Sequence, residues 1–254
     1  GRWIGWERKR GKLHELNRLL RGATDTTFIE VENTAPLPGG IRYVITLDAD
    51  TRLPRDTVRR LIGKMAHPLN HPRFDAALGR VTSGYAVLQP RVTPALPIGR
   101  DGTLFQRIFS SVSGIDPYAA AVSDVYQDLF GEGSYAGKGI YDIDAFEAAL
   151  AQRAPDSTLL SHDLFEGSFA RAGLASDVEV VDDFPVRYDV NAQRHHRWMR
   201  GDWQLLPWIL GRGPIPAGVT RVGRGVTPLG RWKMLDNLRR SLSAPASVLA
   251  LFVG

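Results

Sequence analysis

The chain contains no cysteine, and this absence excludes several kinds of chemistry together. A protein without cysteine forms no disulfide, builds no thiolate metal site and has no cysteine nucleophile. Any metal ion would have to be held by oxygen or imidazole ligands. The lack of cysteine also fits a protein that works in a reducing compartment.

Long apolar segments are missing as well. No run approaches the roughly 20 apolar residues that a helix needs to span a bilayer. The basic and aromatic residues of the first segment, 1–15, leave no room for the apolar part of a signal peptide. The chain does not begin with Met, and it ends in the apolar letters SVLALFVG. We therefore expect an excised portion of a longer polypeptide, cut at both ends.

The composition is that of a soluble globular domain, with 43% hydrophobic and 23% charged residues among 254, and it excludes a disordered chain. The 26 glycines and 16 prolines indicate many loops. A pI near 9.7 favours a nucleic-acid-binding module as a rival function. However, the basic residues are spread along the chain beside 27 acidic residues, and no known nucleic-acid-binding motif occurs. We therefore expect no nucleic acid partner.

Strand-like and helix-like segments alternate along the chain. Apolar or alternating runs predict strands over 27–31, 41–48, 85–89 and 178–181. Apolar residues at helical spacing predict helices over 11–21, after Pro54, after the glycines of 131–139, from Asp163, and over 231–242. Alternation of this kind predicts an α/β fold with a mainly parallel sheet flanked by helices.

We divide the chain into two segments. Residues 1–227 form the predicted α/β core, which we expect to be truncated on its N-terminal side. Residues 228–254 form a predicted amphipathic helix that leads into an apolar, membrane-type segment. In this helix Trp232, Leu235 and Leu238 alternate with basic residues, which is typical of a helix lying on a membrane surface. A plain surface helix is the alternative.

Asp48 and Asp50 follow directly on the strand predicted over 41–48. Because side chains two apart on a strand point to the same side, both carboxylates face one way at the carboxyl edge of the sheet. Open α/β sheets bind ligands at this edge, and two carboxylates there can share Mg²⁺ or Mn²⁺ with substrate phosphates. The alternative is that they only cap the next helix.

Three further groups carry candidate chemistry. Asp163 opens a helix, where it is either a general base or a favourable charge at a helix start. The segment 193–198, Gln-Arg-His-His-Arg-Trp, places cations suited to a diphosphate beside Trp198, a flat face for a sugar ring. A nucleic-acid or lipid patch is its alternative. The glycine-rich segment 131–139 lets backbone approach a substrate, but it matches no phosphate-binding fingerprint.

These segments, in this order, resemble the processive, membrane-embedded inverting glycosyltransferases with a GT-A fold, such as cellulose, chitin and hyaluronan synthases. Arg10-Gly11-Lys12 with Glu15-Leu16-Asn17 is similar to their K-x-G-A-L-N helix, and LDADTRLP to their metal-binding D-x-D turn. SHDLFEGSFARAGL resembles their T-E-D-x-x-L helix, and RHHRW stands in the place of Q-x-x-R-W. GEGSYAGKGIYDIDAF and HHRWMRGDWQL resemble, more closely, the glycosyltransferase domain of cyclic β-1,2-glucan synthases.

The resemblance implies a hexosyltransferase that adds glucose from UDP-glucose to a growing β-1,2-glucan with inversion. It implies Asp163 as the catalytic base, and Asp50 with Asp48 as ligands of Mg²⁺ or Mn²⁺. The implied donor-binding residues are Lys12, Asp48, Arg194, Arg197 and His196. The implied acceptor-binding residues are Gly133, Ser134 and Trp198.

The resemblance also implies the surroundings of the domain. The expected partners are UDP-glucose, a glucan acceptor chain, the rest of a large membrane polypeptide and the lipid surface. The expected location is the cytoplasmic side of a bacterial inner membrane. Because the family's domain begins with a uracil-holding strand upstream of Gly1, we expect the fragment by itself to be inactive.

Two departures from the family pattern keep other functions open. His162 replaces the acidic residue that precedes the base, and Arg194 stands where the motif has Gln. One alternative is another membrane β-glycan synthase of the cellulose synthase-like group. A second is a nucleotide-sugar-binding domain that has lost catalysis.

Overall fold

The computed structural model of the chain describes residues 5–29, 36–95, 102–110, 123–151, 153–154, 156–159, 163–213 and 225–253. The helices are α1 Arg8–Leu20, α2 Thr57–Met65, α3 Leu104–Phe109, α4 Val125–Phe130, α5 Ile143–Leu150, α6 Asp163–Ala170, α7 Tyr188–Gln204, α8 Leu206–Ile209 and α9 Pro228–Val253. The strands are β1 Tyr43–Thr46, β2 Thr51–Arg52, β3 Arg73–Asp75, β4 Arg80–Ser83, β5 Val87–Ala95, β6 Gly139–Asp142 and β7 Ala172–Asp183. A short 3₁₀ turn, Pro68–Asn70, follows α2.

Five of these strands form one mixed sheet in the order β1-β6-β5-β7-β2. The longest pairing is parallel and joins β5 to β7 from Val87–Ala172 to Ala95–Asp183. Strand β6 runs antiparallel to both β1 and β5, and the short edge strand β2 runs antiparallel to β7. It follows that β1, β5 and β7 point the same way and end at one edge of the sheet.

Helices cover both faces of the sheet. On one face, Leu61 and Met65 of α2 are fully buried against Leu88 of β5 and Ile140 of β6. The neighbouring residues on these strands, Val87 and Tyr141, point to the other face of the sheet. There they pack with three phenylalanines of α5 and α6: Phe146, Phe165 and Phe169. Each of these large side chains contributes about 1.5–3 kcal/mol by its burial. The predicted α/β class is confirmed, and this architecture fits a GT-A-like fold.

Helix α9 is half packed and half exposed. Its first half contacts α6, α7 and α8 and buries Gly230, Lys233, Met234 and Leu238. Its second half is exposed from Leu242 to Val253, including Leu251 and Phe252, which are 84% and 85% exposed. Of the helices in the described ranges, none combines the length and apolarity required to cross a membrane.

The structure corrects several boundaries. No strand forms over residues 27–29, and the Thr27 backbone N–H donates a hydrogen bond to Glu15. The rest of this predicted strand, residues 30–31, lies outside the described residues. Helix α2 begins at Thr57, three residues after Pro54, because Asp56 adopts a left-handed φ of 65°. Strands β5 and β7 are longer than predicted because they pair with each other over nine positions.

Candidate active site

A large cavity of about 680 Å³ lies at the edge where β1, β5 and β7 end. The residues after β1, the end of β5 at 92–94 and the end of β7 at Asp182 all line it. Further walls come from α1, α5, α6, α7, α9 and the glycine-rich segment. Six residues that the sequence singled out line this cavity: Asp48, Asp50, Asp163, Arg194, Arg197 and Trp198.

Asp48 is held between two lysines. The Nζ atoms of Lys9 and Lys138 lie 2.7 and 2.9 Å from its carboxylate oxygens. Burial alone would raise the pKa of Asp48, but the ammonium group of Lys138 and then that of Lys9 outweigh it, so the pKa is lowered. Asp48 is therefore an ionised group at neutral pH, as a cation ligand must be.

Lys138 connects the turn that carries Asp48 and Asp50 to the sheet. Its Nζ atom also donates to Asp182 at 2.6 Å, and Asp182 accepts a second hydrogen bond from the Thr51 hydroxyl at 2.7 Å. Burial opposes the charge of Lys138, yet the two carboxylates of Asp48 and Asp182 raise its pKa overall. This chain of contacts fixes the turn after β1 against the end of β7.

Asp50 is paired with a residue of the basic segment. Arg194 of α7 donates to the Asp50 carboxylate at 3.0 Å, and its guanidinium lies 6.0 Å from the centre of the Trp198 ring. His195 stacks on Trp198 with ring centres 5.4 Å apart. Burial and then the charge of Arg194 lower the pKa of His195, so its ring carries less charge than the sequence suggests. Helix α7 thus presents arginine charge and an aromatic face to the same cavity.

Asp163 begins α6 and meets the glycine-rich segment. Gly137 has a φ of 81°, and a Cβ atom built on it would lie 2.8 Å from the Asp163 carboxyl atoms. Only a residue without a side chain allows this approach without displacing Asp163. The glycine-rich segment therefore shapes the surroundings of the candidate base.

A second carboxyl group on α6 lies one turn further along. Glu166 lines the same cavity as Asp163 and is 7% exposed. Burial and then the nearby charge of Asp163 raise the pKa of Glu166 to about 8. Sequence analysis did not single out Glu166, because a glutamate inside a helix is ordinarily a solvated residue.

Four predicted site residues lie away from the cavity. Lys12 and His196 are exposed and do not line it, because their helices turn them outward. Gly133 and Ser134 lie behind the cavity wall, where the Ser134 amide donates to Asp124 at 2.9 Å and Lys233 donates to the Gly133 carbonyl at 2.8 Å. They support the glycine-rich segment from behind.

Lys9 occupies the place that was predicted for Lys12. Its Nζ atom donates to Asp48 at 2.7 Å and to the Gly137 carbonyl at 2.9 Å. The sequence carries a signal for it, because the K-x-G spacing of the family motif is present as Lys9-Arg10-Gly11. His162, the other departure from the family pattern, lies outside the described residues.

The carboxylates of the turn after β1, Asp48 and Asp50, fit a divalent cation whose remaining ligands come from the substrate. In the ranges that the structure describes, no three His, Asp or Glu side chains converge as a complete protein-built metal site. Asp48 and Asp50 nevertheless offer two carboxylates, with side chains 42% and 35% exposed, at the cavity. Mg²⁺ is commonly held by one or two carboxylates, with water and phosphate oxygens as its other ligands.

The mixed α/β sheet and the charged cavity at its carboxyl edge together fit the class of GT-A-like nucleotide-sugar folds. No protein-family model matches the chain. Over all 254 residues, the chain is 55% identical to the cyclic β-(1,2)-glucan synthase NdvB of Rhizobium meliloti strain 1021. The chain spans 8% of the length of that protein. This similarity confirms the resemblance to cyclic β-1,2-glucan synthases that the sequence motifs indicated.

Proposed function

We propose that this chain is the glucosyltransferase domain of a cyclic β-1,2-glucan synthase. The proposed reaction transfers glucose from UDP-glucose to the growing β-1,2-glucan, with inversion at the anomeric carbon. The observation that carries the proposal is the cavity in which Asp48, Asp50 and Asp163 meet a set of lysines and arginines. The similarity to NdvB along the whole chain supports the choice of product.

The donor diphosphate has matching cations in the cavity. Lys9, Lys138, Arg194 and Arg197 all line it, and Arg194 presents a guanidinium fork suited to phosphate oxygens. Asp48 and Asp50 would hold Mg²⁺ or Mn²⁺, which supplies charge neutralisation for the departing UDP. The arginines add to this stabilisation as negative charge develops on the leaving group.

Asp163 is the proposed general base. It accepts the proton of the acceptor's 2-hydroxyl while that oxygen forms a bond to the anomeric carbon of glucose. The bond between the anomeric carbon and the UDP oxygen breaks, and UDP leaves with the electron pair. Attack from the face opposite UDP converts the α configuration to β. A positioned base contributes about 10² to 10⁴ in rate.

Trp198 is the proposed floor of the acceptor site. It lines the cavity near Arg194, and its indole ring offers the flat apolar face on which sugar rings pack. Stacking by His195 on Trp198 fixes the orientation of the ring. The acceptor would therefore lie between α7 and the start of α6.

The membrane surroundings are part of the same proposal. In the longer polypeptide, the exposed apolar side chains of α9, among them Trp232, Leu251 and Phe252, would pack against lipid or neighbouring segments. The proposed location is the cytoplasmic side of the inner membrane, where UDP-glucose is available.

The test is glucose transfer by the full-length protein in membrane vesicles. We expect Asp163→Asn to lower turnover at least 10²-fold while UDP-glucose binding is kept, because the change removes basicity and preserves shape. The matched control is Asp177→Asn, a surface residue paired with Lys64 and Arg60, which should keep normal turnover. Normal turnover by Asp163→Asn would refute the assignment of Asp163 as the general base. Lack of transfer from UDP-glucose by the wild type would favour a silent domain or another nucleotide sugar.

A further inference from the structure

Glu166 is a buried carboxyl group that faces the cavity. It is 7% exposed and lines the cavity three residues after Asp163, which places both side chains on the same side of α6. Its ion-pair contact runs from Oε1 to Nε of Arg10 at 3.9 Å. Among the described residues, its carboxyl makes no hydrogen bond to any other side chain or backbone group.

The surroundings favour the protonated form of this carboxyl. Burial and then the charge of Asp163 raise the pKa of Glu166 to about 8, against the lowering effect of Arg10 and Lys9. The titratable groups that face it are Asp163 on α6, Arg10 and Lys9 on α1, Glu147 on α5, Tyr135 before β6 and Tyr141 on β6. In this protonated form the carboxyl is a hydrogen-bond donor.

A purely structural role does not explain this arrangement. Buried polar groups are nearly always hydrogen-bonded, since an unpaired one costs about 1–3 kcal/mol. Structural carboxyls elsewhere in the chain follow this rule, as Asp124 does by accepting from the Tyr126 and Ser134 amides. Glu166 instead lines the cavity near the proposed base, and its ion-pair contact with Arg10 is long, at 3.9 Å.

We propose that the Glu166 carboxyl binds a hydroxyl group of the acceptor sugar and orients the attacking 2-hydroxyl toward Asp163. This inference rests on the proposed function and adds a substrate-contacting residue to it. The neutral acid donates a hydrogen bond to the sugar oxygen without adding a second negative charge beside Asp163. Two ionised carboxylates at this spacing would repel each other, which explains why one of them is kept buried.

The experiment measures glucose transfer from UDP-glucose to an added β-1,2-linked gluco-oligosaccharide by the full-length protein, between pH 6 and 9. We expect Glu166→Leu to raise the acceptor KM about tenfold, as the loss of one hydrogen bond predicts, with UDP-glucose affinity unchanged. Glu166→Gln keeps a donor and should show a smaller rise. It should also lose the fall in kcat/KM that the wild type shows as pH rises past about 8.

The control is Glu15→Gln on α1, a glutamate that does not line the cavity, which should follow the wild-type profile. An unchanged acceptor KM in Glu166→Leu would overturn the proposal. So would an alkaline fall that is the same in Glu166→Gln as in the wild type. If Glu166→Leu fails to fold, the pH dependence of kcat/KM in Glu166→Gln decides the question by itself. Absence of wild-type transfer from UDP-glucose would refute the proposed function instead.

Discussion

At the scale of single residues, two acids of the cavity respond in opposite ways to their surroundings. The pKa of Asp48 is lowered, since Lys138 and Lys9 outweigh the effect of its burial. The pKa of Glu166 is raised to about 8, since burial dominates and Asp163 adds to it. The same cavity therefore holds one acid whose ionised form is favoured and one whose neutral form is favoured.

The raised pKa of Glu166 predicts a specific pH dependence of stability. Between its ordinary value of 4.5 and about 8, the folded chain keeps a proton that the unfolded chain has lost. The contribution of Glu166 to the free energy of unfolding is thus fully present below pH 4.5, and it is lost as the pH rises toward about 8. Relative to Glu166→Gln, the wild type should lose about 1.4 kcal/mol per pH unit across this interval.

Denaturant unfolding of both proteins at pH 5.5 and 7.5 measures this difference. Glu15→Gln serves again as the control and should show the pH dependence of the wild type. Equal pH dependence in the wild type and Glu166→Gln would mean that Glu166 is ionised in the folded chain.

Some of the cavity residues could be predicted from the sequence and others could not. Asp48, Asp50 and Asp163 stand at strand ends or helix starts, and both positions are visible in local patterns. Lys138 and Asp182 could not be predicted, because they are 44 positions apart and meet only when β7 joins the sheet. Glu166 could not be predicted either, since burial inside a helix depends on what packs over it.

At the scale of elements, the glycine-rich segment lies against the candidate base. Its residues 131–139 are held from behind by Lys233 of α9, which is 3% exposed and donates to the carbonyls of Glu132 and Gly133. They meet Asp163 in front through Gly137. Helix α9 therefore supports this segment on one side while the candidate base contacts it on the other.

This connection predicts the effect of adding one methyl group. Gly137→Ala places a Cβ atom 2.8 Å from the Asp163 carboxyl, so we expect the base to shift and glucose transfer to fall about tenfold or more. The matched control is Gly22→Ala, whose φ of 86° carries similar backbone strain but whose Cβ meets nothing within 4 Å. Each change should cost about 1–2 kcal/mol of stability.

Transfer rates and thermal unfolding of the two alanine variants separate the effect of backbone strain from that of displacing the Asp163 side chain. Equal transfer rates in Gly137→Ala and Gly22→Ala would show that the methyl group does not disturb the base. We expect reduced transfer in Gly137→Ala but not in Gly22→Ala.

Element boundaries show where local patterns were sufficient. The helices α1 and α6 were predicted nearly as observed, because apolar spacing defines both locally and an acidic first turn marks the start of α6. Strand β6 was missed, since the glycines around it indicate a loop and its four residues are buried through long-range pairing with β1 and β5 and packing against helices on both faces. In α2, Val58 and Ile62 share the helical spacing of the buried Leu61 and Met65, yet they are 40% and 43% exposed.

At the scale of the whole molecule, strand order brings the cavity together. Insertion of β6 between β1 and β5 makes their pairings antiparallel but leaves β1, β5 and β7 pointing the same way. Sequence predicted strands that end at one edge, as α/β folds require, but gave no information on their order. The order matters because it places Asp48 beside Lys138 and Asp182.

The central claim is that this cavity holds UDP-glucose and carries the base that acts on the acceptor. The most direct measurement is a cryo-EM reconstruction of the full-length Asp163→Asn protein with UDP-glucose and Mn²⁺. The account predicts diphosphate density beside Asp48, Asp50 and Arg194, with the glucose unit between that density and residue 163. Nucleotide bound elsewhere, with this cavity empty, would contradict it.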